Sequence, residues 1–468
     1  MLRKFFIFIL LILTSCAVNP VTGQRELMLV SEAQEISIGK EAAPSLNWEF
    51  GGGYNDPALE SYLGGIAKRI WLNAERPWLP MEFHVQNTSI PNAFALPGYI
   101  AITRGLLSEL ENEAQFAAII GHEIGHVMAR HSAQRMSRAA LQQIGLAAGA
   151  GALAGKKGAD ALLTIGAIGT SLYLLKYDRS QEIQADRLGA RYMAELGYDP
   201  EEALRAHKVL EISVDSYLKR QGKSRSGEDF ISSLLSTHPR TEVRLDEIRQ
   251  MINELPAYNI TGDGKFSMRF QNVIQSIKNI NRVYFIYDEA ENNYKKRNFT
   301  VAEQKINQAI SINNRQAPFY NLLGFVKLRQ KNYTGAYRSF SKALSIDPGY
   351  QPAIYGLGVV HYSQGSYEPA IHEFKRSLAL YPEHPGSLLA AGKSYYFIRR
   401  YREAVPYLRN FAAITPEHPE VHGLLGICYE NTGDLRSAVR EYRNQVKVAP
   451  DTELGIHAKK RLEVLAPN

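Results

Sequence analysis

Only two of the 468 residues are cysteines, Cys16 and Cys428. A disulfide framework is thereby excluded, and the chain has to be held together by packing. Blocks of lysine and arginine are also missing, and a net charge of +7 is mild for this length. Weak attraction to acidic lipid surfaces is allowed, whereas nucleic acid is not among the expected partners. Long apolar runs are absent as well. Phe5 to Leu13 is too short to cross a bilayer, and Lys156 and Lys157 interrupt the Ala/Gly-rich stretch from about 141 to 175. That stretch reads as a helical hairpin, not a membrane span.

What is present is ordinary globular composition, 45% apolar and 22% charged. The length exceeds what one core usually serves, so two or three domains are expected. At the N-terminus, Arg3 and Lys4 precede the short apolar run in the manner of a secretory signal. Leu13-Thr14-Ser15-Cys16 resembles a bacterial lipobox, in which Cys16 is lipidated and becomes the first mature residue. The plainer alternative is a signal peptide with an incidental cysteine. Ala17 in place of an aspartate favours sorting to the outer membrane. The expected location is therefore the periplasm, with a lipid anchor in the membrane.

A repeat governs the C-terminal third. Pro348, Pro382, Pro416 and Pro450 are 34 residues apart, as are Gly324, Gly358, Gly392 and Gly426. Ala302, Ala336, Ala370, Ala404 and Ala438 keep the same period. This is the tetratricopeptide signature: small residues let paired helices approach, and proline ends the second helix. Five units are expected over 283–452, beginning near Val283, Ala317, Gln351, Pro385 and Pro419. The first is degenerate, with Ala290 for the glycine and Asn314 for the proline. Residues 453–468 would form the capping helix.

Ahead of the repeats, the sequence divides into a signal at 1–15, a linker and helix at 16–48, a compact domain at 49–270 and a connector at 271–282. "NDPALESYLGGIAKRIW" predicts a helix with Asp56 as N-cap and Pro57 at its first position. "MEFHVQNT" and "NAFALPGYIAITRG" predict two or three short strands around a turn at Pro97-Gly98.

The chemistry is concentrated in "IIGHEIGHVMARH", Ile119 to His131. His122 and His126 are four residues apart and share one helix face, so both imidazoles can reach one ion. Glu123 lies beside that face, where it suits a base acting on water. The bland reading is a solvated polar face, but Ile119, Ile120, Ile124 and Val127 make this an apolar helix. Zinc requires a third ligand. On a continuous helix His131 would lie about 180° from His122, which makes it structural. In "DRSQEIQADRLGARYMAELG" Glu182 and Asp186 share a face of a second helix, capped near Asp178 or Ser180, with Gly189 permitting close approach. Glu182 would bind the metal, and Asp186 would accept a hydrogen bond from a ligand histidine. The competing reading is an ordinary surface pair of carboxylates.

HEIGH at 122–126 followed by EIQAD at 182–186 resembles the M48 family of gluzincin metallopeptidases. With the signal and the repeats, the chain is most similar to that family's periplasmic β-barrel assembly-enhancing branch. The resemblance implies one zinc ion held by His122, His126 and Glu182, with Glu123 as general base. "STHPRTEVRLDEI" resembles the family's H-P-x-x-x-x-R element, which gives His238 and Arg244. There the histidine would close the site at rest, and the arginine would stabilise an oxyanion or anchor the active-site helix. A helix start, with Ser236 or Thr237 capping and Pro239 in the first turn, explains the same stretch. "IPNAFALPGYIAITRGLL" resembles the strand lining the cleft, where Asn92, Ala93 and Phe94 would pair with extended substrate. Many relatives carry a second glycine in that turn, and this chain has only Gly98.

The expected fold is mainly α with a small β-sheet: a gluzincin metallopeptidase domain followed by an α-solenoid of tetratricopeptide repeats. The expected activity is zinc-dependent hydrolysis of peptide bonds in unfolded or misassembled envelope proteins, in outer-membrane quality control. The repeats would hold clients or the outer-membrane β-barrel assembly machinery. The rival is a tetratricopeptide chaperone or scaffold whose zinc site is latent or structural. An intact Glu123 speaks against a purely structural zinc, which has no use for a base.

Overall fold

The computed structural model describes residues 16–149, 177–223 and 242–466. The signal segment, most of the Ala/Gly-rich hairpin and His238 with its surrounding stretch lie outside the described residues. The chain divides into two compact units between Tyr284 and Phe285.

In the first unit β1 (Cys16–Val18) pairs antiparallel with β2 (Arg25–Leu27). Helix α1 (Glu32–Glu49) opens on a capping box in which Ser31 and Gln34 satisfy each other's backbone N–H groups. Helix α2 (Pro57–Asn73) starts as its sequence predicts, with the Asp56 side chain accepting from Leu59 N–H. Leu59, Leu63, Ile66 and Ile70 are buried on one face. Strands β3 (Phe83–Gln86), β4 (Ala93–Leu96) and β5 (Tyr99–Thr103) form a sheet in the order β3-β5-β4. β3 runs parallel to β5, and β4 returns antiparallel with Ala93 opposite Ile102. Gly98 makes that hairpin at φ 91°, a conformation that favours glycine.

One turn of helix, α3 (Arg104–Leu107), leads to α4 (Glu113–Met128). Asn112 caps α4 by accepting from Gln115 N–H, and all 16 residues of the helix are buried. A helix buried all round is a central one, and its polar residues Glu113, Gln115, His122, Glu123 and His126 are enclosed with the apolar ones. α4 stops at Met128, Arg130 adopts a left-handed φ of 59°, and α5 (His131–Gly149) sets off anew. The expectation that His131 faces away from His122 on one continuous helix is corrected here, because the break re-aims the chain. Arg130 is held there by Glu35 Oε2 at 3.0 Å and by the Val30 carbonyl at 2.9 Å. Beyond it lie α6 (Arg179–Glu195), α7 (Glu202–Arg220) and α8 (Glu242–Glu254). Asp178 caps α6 in a second capping box with Gln181.

Helix α9 (Ser267–Lys295) runs unbroken across the expected connector and the division between the units. The second unit continues with α10 (Phe299–Ile312), α11 (Ala317–Arg329), α12 (Tyr333–Ile346), α13 (Gln351–Ser363), α14 (Tyr367–Leu380), α15 (Pro385–Phe397), α16 (Tyr401–Ile414), α17 (Val421–Asn431), α18 (Leu435–Val448) and α19 (Glu453–Leu465). The periodic glycines explain the pairing. A Cβ on Gly324, Gly358, Gly392 or Gly426 would collide with Phe340, Phe374, Leu408 or Tyr442, each 16 residues later on the partner helix. No described helix is long and apolar enough to cross a membrane.

Candidate metal centre

Helices α4 and α6 touch almost backbone to backbone. A Cβ on Gly121 would stand 3.2 Å from Gly189 Cα, and one on Gly125 would stand 3.2 Å from Ala185 Cα. Glycine at these crossings lets the two helices bring their polar side chains to one point. There His122, His126 and Glu182, all buried, place one ligand atom each within 4.8 Å of one another. The facing Nε2 atoms of His122 and His126 are 3.1 Å apart. Glu182 Oε1 is 3.5 Å from His126 Nε2, and Oε2 is 3.8 Å from His122 Nε2. Ligands at about 2.0–2.1 Å from a tetrahedral zinc are roughly 3.3 Å apart, so the donor set fits that ion.

The surroundings prepare the donors. His122 Nδ1 donates to Asp186 Oδ1 at 2.7 Å, which leaves Nε2 facing the cluster. Arg244, from α8, donates to Asp186 through Nε at 2.8 Å and Nη2 at 2.7 Å, and its Nη1 lies 2.6 Å from Glu182 Oε2. One guanidinium therefore holds both carboxylates of α6. Although burial pushes the Asp186 carboxyl up, Arg244, His207 and His122 together hold it well below the usual carboxylate range. Around His126, Tyr177 stacks on the imidazole with centroids 3.6 Å apart, and the Arg135 guanidinium lies 3.6 Å from the centre of the Tyr177 ring. Glu123, 6% exposed, borders the same cleft as His122.

That cleft is walled by Ala118, Ile119, Ala190, Ala203, Ala206, Leu210, Val214 and Ile248, with Pro91, Asn92 and Ala93 on the sheet side. It is an apolar cavity opening directly onto the metal donors.

Residues 57–252 match the family described as Peptidase family M48, a span that holds every residue named in this centre. The region is an M48 peptidase domain. The mitochondrial metalloendopeptidase OMA1 of Schizosaccharomyces pombe is 29% identical over 251 residues, covering 52% of this chain and 68% of that protein. The β-barrel assembly-enhancing protease of Escherichia coli (strain K12) is 28% identical over 207 residues, or 43% of this chain and 40% of that protein. OMA1 of Arabidopsis thaliana is 33% identical over 168 residues, covering 35% and 30%. The chain thus spans about two thirds of the first relative's length and two fifths or less of the other two. In the repeats, residues 389–449 match the tetratricopeptide repeat family, and residues 329–411 match the family described as Anaphase-promoting complex, cyclosome, subunit 3. The expected enzyme class, a zinc metalloendopeptidase, agrees with these matches.

Within the M48 domain, the structure brings together His122, Glu123, His126, Glu182, Asp186 and Arg244. Arg244 is committed to carboxylates, an anchoring position. Asn92 and Ala93 border the cleft, while the Phe94 ring packs 4.8 Å from Phe50 in a side core with Leu46. β4 is an edge strand, and Thr103 N–H donates to the Asn92 carbonyl at 2.9 Å. Cys16 sits in β1. One residue escaped the sequence reading, and another was placed wrongly by it. His207 lines the cleft with Nε2 3.3 Å from Asp186 Oδ1. Its one signal was a histidine beside the apolar stripe of Ala203, Ala206, Leu210 and Val214. His131 contacts His126 directly, which only the break at Arg130 makes possible.

Proposed function

We propose that this chain is a zinc-dependent endopeptidase of the bacterial cell envelope that cleaves unfolded or misassembled proteins. Its setting is outer-membrane protein quality control, with lipid attachment at Cys16 and with the repeats binding clients or the β-barrel assembly machinery. The observation that carries the enzymatic reading is the convergence of three buried donors beside Glu123 in a cleft. A zinc ion held by His122, His126 and Glu182 would supply Lewis acidity to a water and to the scissile carbonyl.

The chain's own residues supply the rest. Glu123 takes a proton from the attacking water and returns it to the leaving amine nitrogen. Asp186 fixes the tautomer of His122, and Arg244 keeps the Asp186 and Glu182 carboxylates in register across one turn of α6. The Asn92 N–H and carbonyl already bond Thr103, so the sheet edge suited to pairing with an extended backbone begins at Ala93, which favours unfolded substrate over folded. The apolar cavity suits an aliphatic side chain next to the scissile bond, and it sheds water from the reacting groups. His238 is assigned the resting-state latch and the repeats the docking of clients.

The test is cleavage of unfolded β-casein by the zinc-loaded chain starting after Cys16, with wild type, Glu123→Gln and His238→Ala compared. Glu123→Gln should retain one zinc and lose at least about a hundredfold in rate, and His238→Ala should gain rate. Zinc bound by every variant with no cleavage by any would replace this reading with a tetratricopeptide scaffold.

A further inference from the structure

Gln184, His131 and His126 form a row of hydrogen bonds that ends on Nδ1 of His126, the ring nitrogen opposite the one facing the other metal donors. Gln184 Oε1 lies 2.9 Å from His131 Nε2, and His131 Nδ1 lies 2.8 Å from His126 Nδ1. All three lie around the junction of α4, α5 and α6. His131 is completely buried, and its two ring nitrogens face Gln184 and His126.

The acceptor at the far end of this row orders its hydrogens. An amide oxygen only accepts, so His131 Nε2 carries the hydrogen. With its hydrogen on Nε2, His131 turns the Nδ1 lone pair toward His126. Two facing Nδ1 atoms need one hydrogen between them, and it therefore belongs to His126. His126 Nε2 is left as a lone pair facing His122 Nε2 and Glu182 Oε1 at 3.1 and 3.5 Å.

We propose that Gln184 and His131 are positioning residues that lock His126 in the tautomer able to bind the metal. They do for His126 what Asp186 does for His122, using a neutral acceptor in place of a carboxylate. The difference has a reason. Glu182, Asp186 and Glu123 already bring three carboxylates to this buried centre, which Arg244 partly offsets. A fourth negative charge behind His126 would carry a further desolvation cost, whereas an imidazole tied to an amide adds none. The stacked Tyr177 holds the plane of the His126 ring while the row holds its hydrogen.

This inference rests on the metal-centre reading, and its test separates the two. Zinc affinity is measured by competition with a chromophoric chelator for wild type, His131→Leu, His131→Asn and Gln184→Leu, alongside melting of the zinc-free forms. His131→Leu should weaken zinc binding by roughly 10–100-fold. His131→Asn, whose Oδ1 can accept from His126 Nδ1, should recover most of that loss, and Gln184→Leu should fall between. A packing role would instead make Asn as damaging as Leu. Long-range 1H–15N spectra of the zinc-loaded wild type avoid any question of folding. They should show hydrogen on Nε2 of His131 and on Nδ1 of His126. Hydrogen on Nδ1 of His131, or wild-type affinity in His131→Leu, overturns the proposal. Zinc binding that survives His122→Ala overturns the metal centre itself.

Discussion

At the scale of single residues, charges in this molecule are buried in closed sets. Arg76 is fully buried and bonds Glu32, Glu35 and the Val127 carbonyl at the end of α4. Removing it by Arg76→Met would strand Glu35 beside Arg130 alone. We expect a loss of about 3–5 kcal/mol in urea denaturation, the usual cost of breaking a buried pair from one side. Arg244→Met should cost a similar amount in the zinc-free protein, because two carboxylates lose their shared cation. Arg244→Lys should keep part of the stability and lose zinc affinity, since an ammonium cannot reproduce the fork. The candidate metal centre was legible in the sequence because its residues follow helical spacing, His122 with His126 and Glu182 with Asp186. His207 was not, since its place depends on how α7 packs. His131 was misplaced because nothing in "HVMARH" announces a left-handed arginine.

Elements bring a second group of consequences. α15 is capped by His384, which accepts from Ser387 N–H at 3.1 Å. Burial pushes His384 down to about 4. Between an ordinary value of about 6.5 and that figure, the unfolded chain binds a proton that the folded cap refuses. Stability of the repeats should therefore be level above pH ~6.5 and fall by roughly 1–3 kcal/mol toward pH ~4. Urea melts across that range should show the slope in wild type and not in His384→Asn, which can cap without titrating. On α7, Leu210 forms part of the cavity wall. Leu210→Ala should shift cleavage of a peptide library toward larger apolar side chains by about tenfold or more, with zinc content unchanged. Unaltered preference would mean that the cavity does not receive substrate. The caps at Asp56 and Asp178 and the hairpin at Gly98 were readable from local chemistry. The continuity of α9 was missed although Phe270, Ile274, Ile277 and Tyr284 keep helical spacing, because the degenerate first repeat was read as a fresh start near Val283.

For the whole molecule, the division between Tyr284 and Phe285 implies two separately cooperative units. Gly358→Leu should drive a side chain into Phe374 and lower the melting of the repeats by a few kcal/mol, while zinc binding by the M48 domain persists. Differential scanning calorimetry with and without zinc would assign each transition. Cys428 belongs to the same repeat core, and burial pushes its thiol up to about 12. Its reaction with a thiol reagent should therefore report opening of the repeats. The period of 34 made this architecture plain from sequence, because each unit repeats one packing solution.

The collision partners of the periodic glycines carry one more consequence. Phe340 is lodged not only against Gly324 of its own pair but also against Gly356, on the first helix of the next. The position 34 residues after Gly356 is Ala390. Excising residues 351–384 in register would thus slide an alanine methyl into the seat that Phe340 occupies. These repeats share a period without being exchangeable parts, and a shortened array would have to recut that joint before it could close.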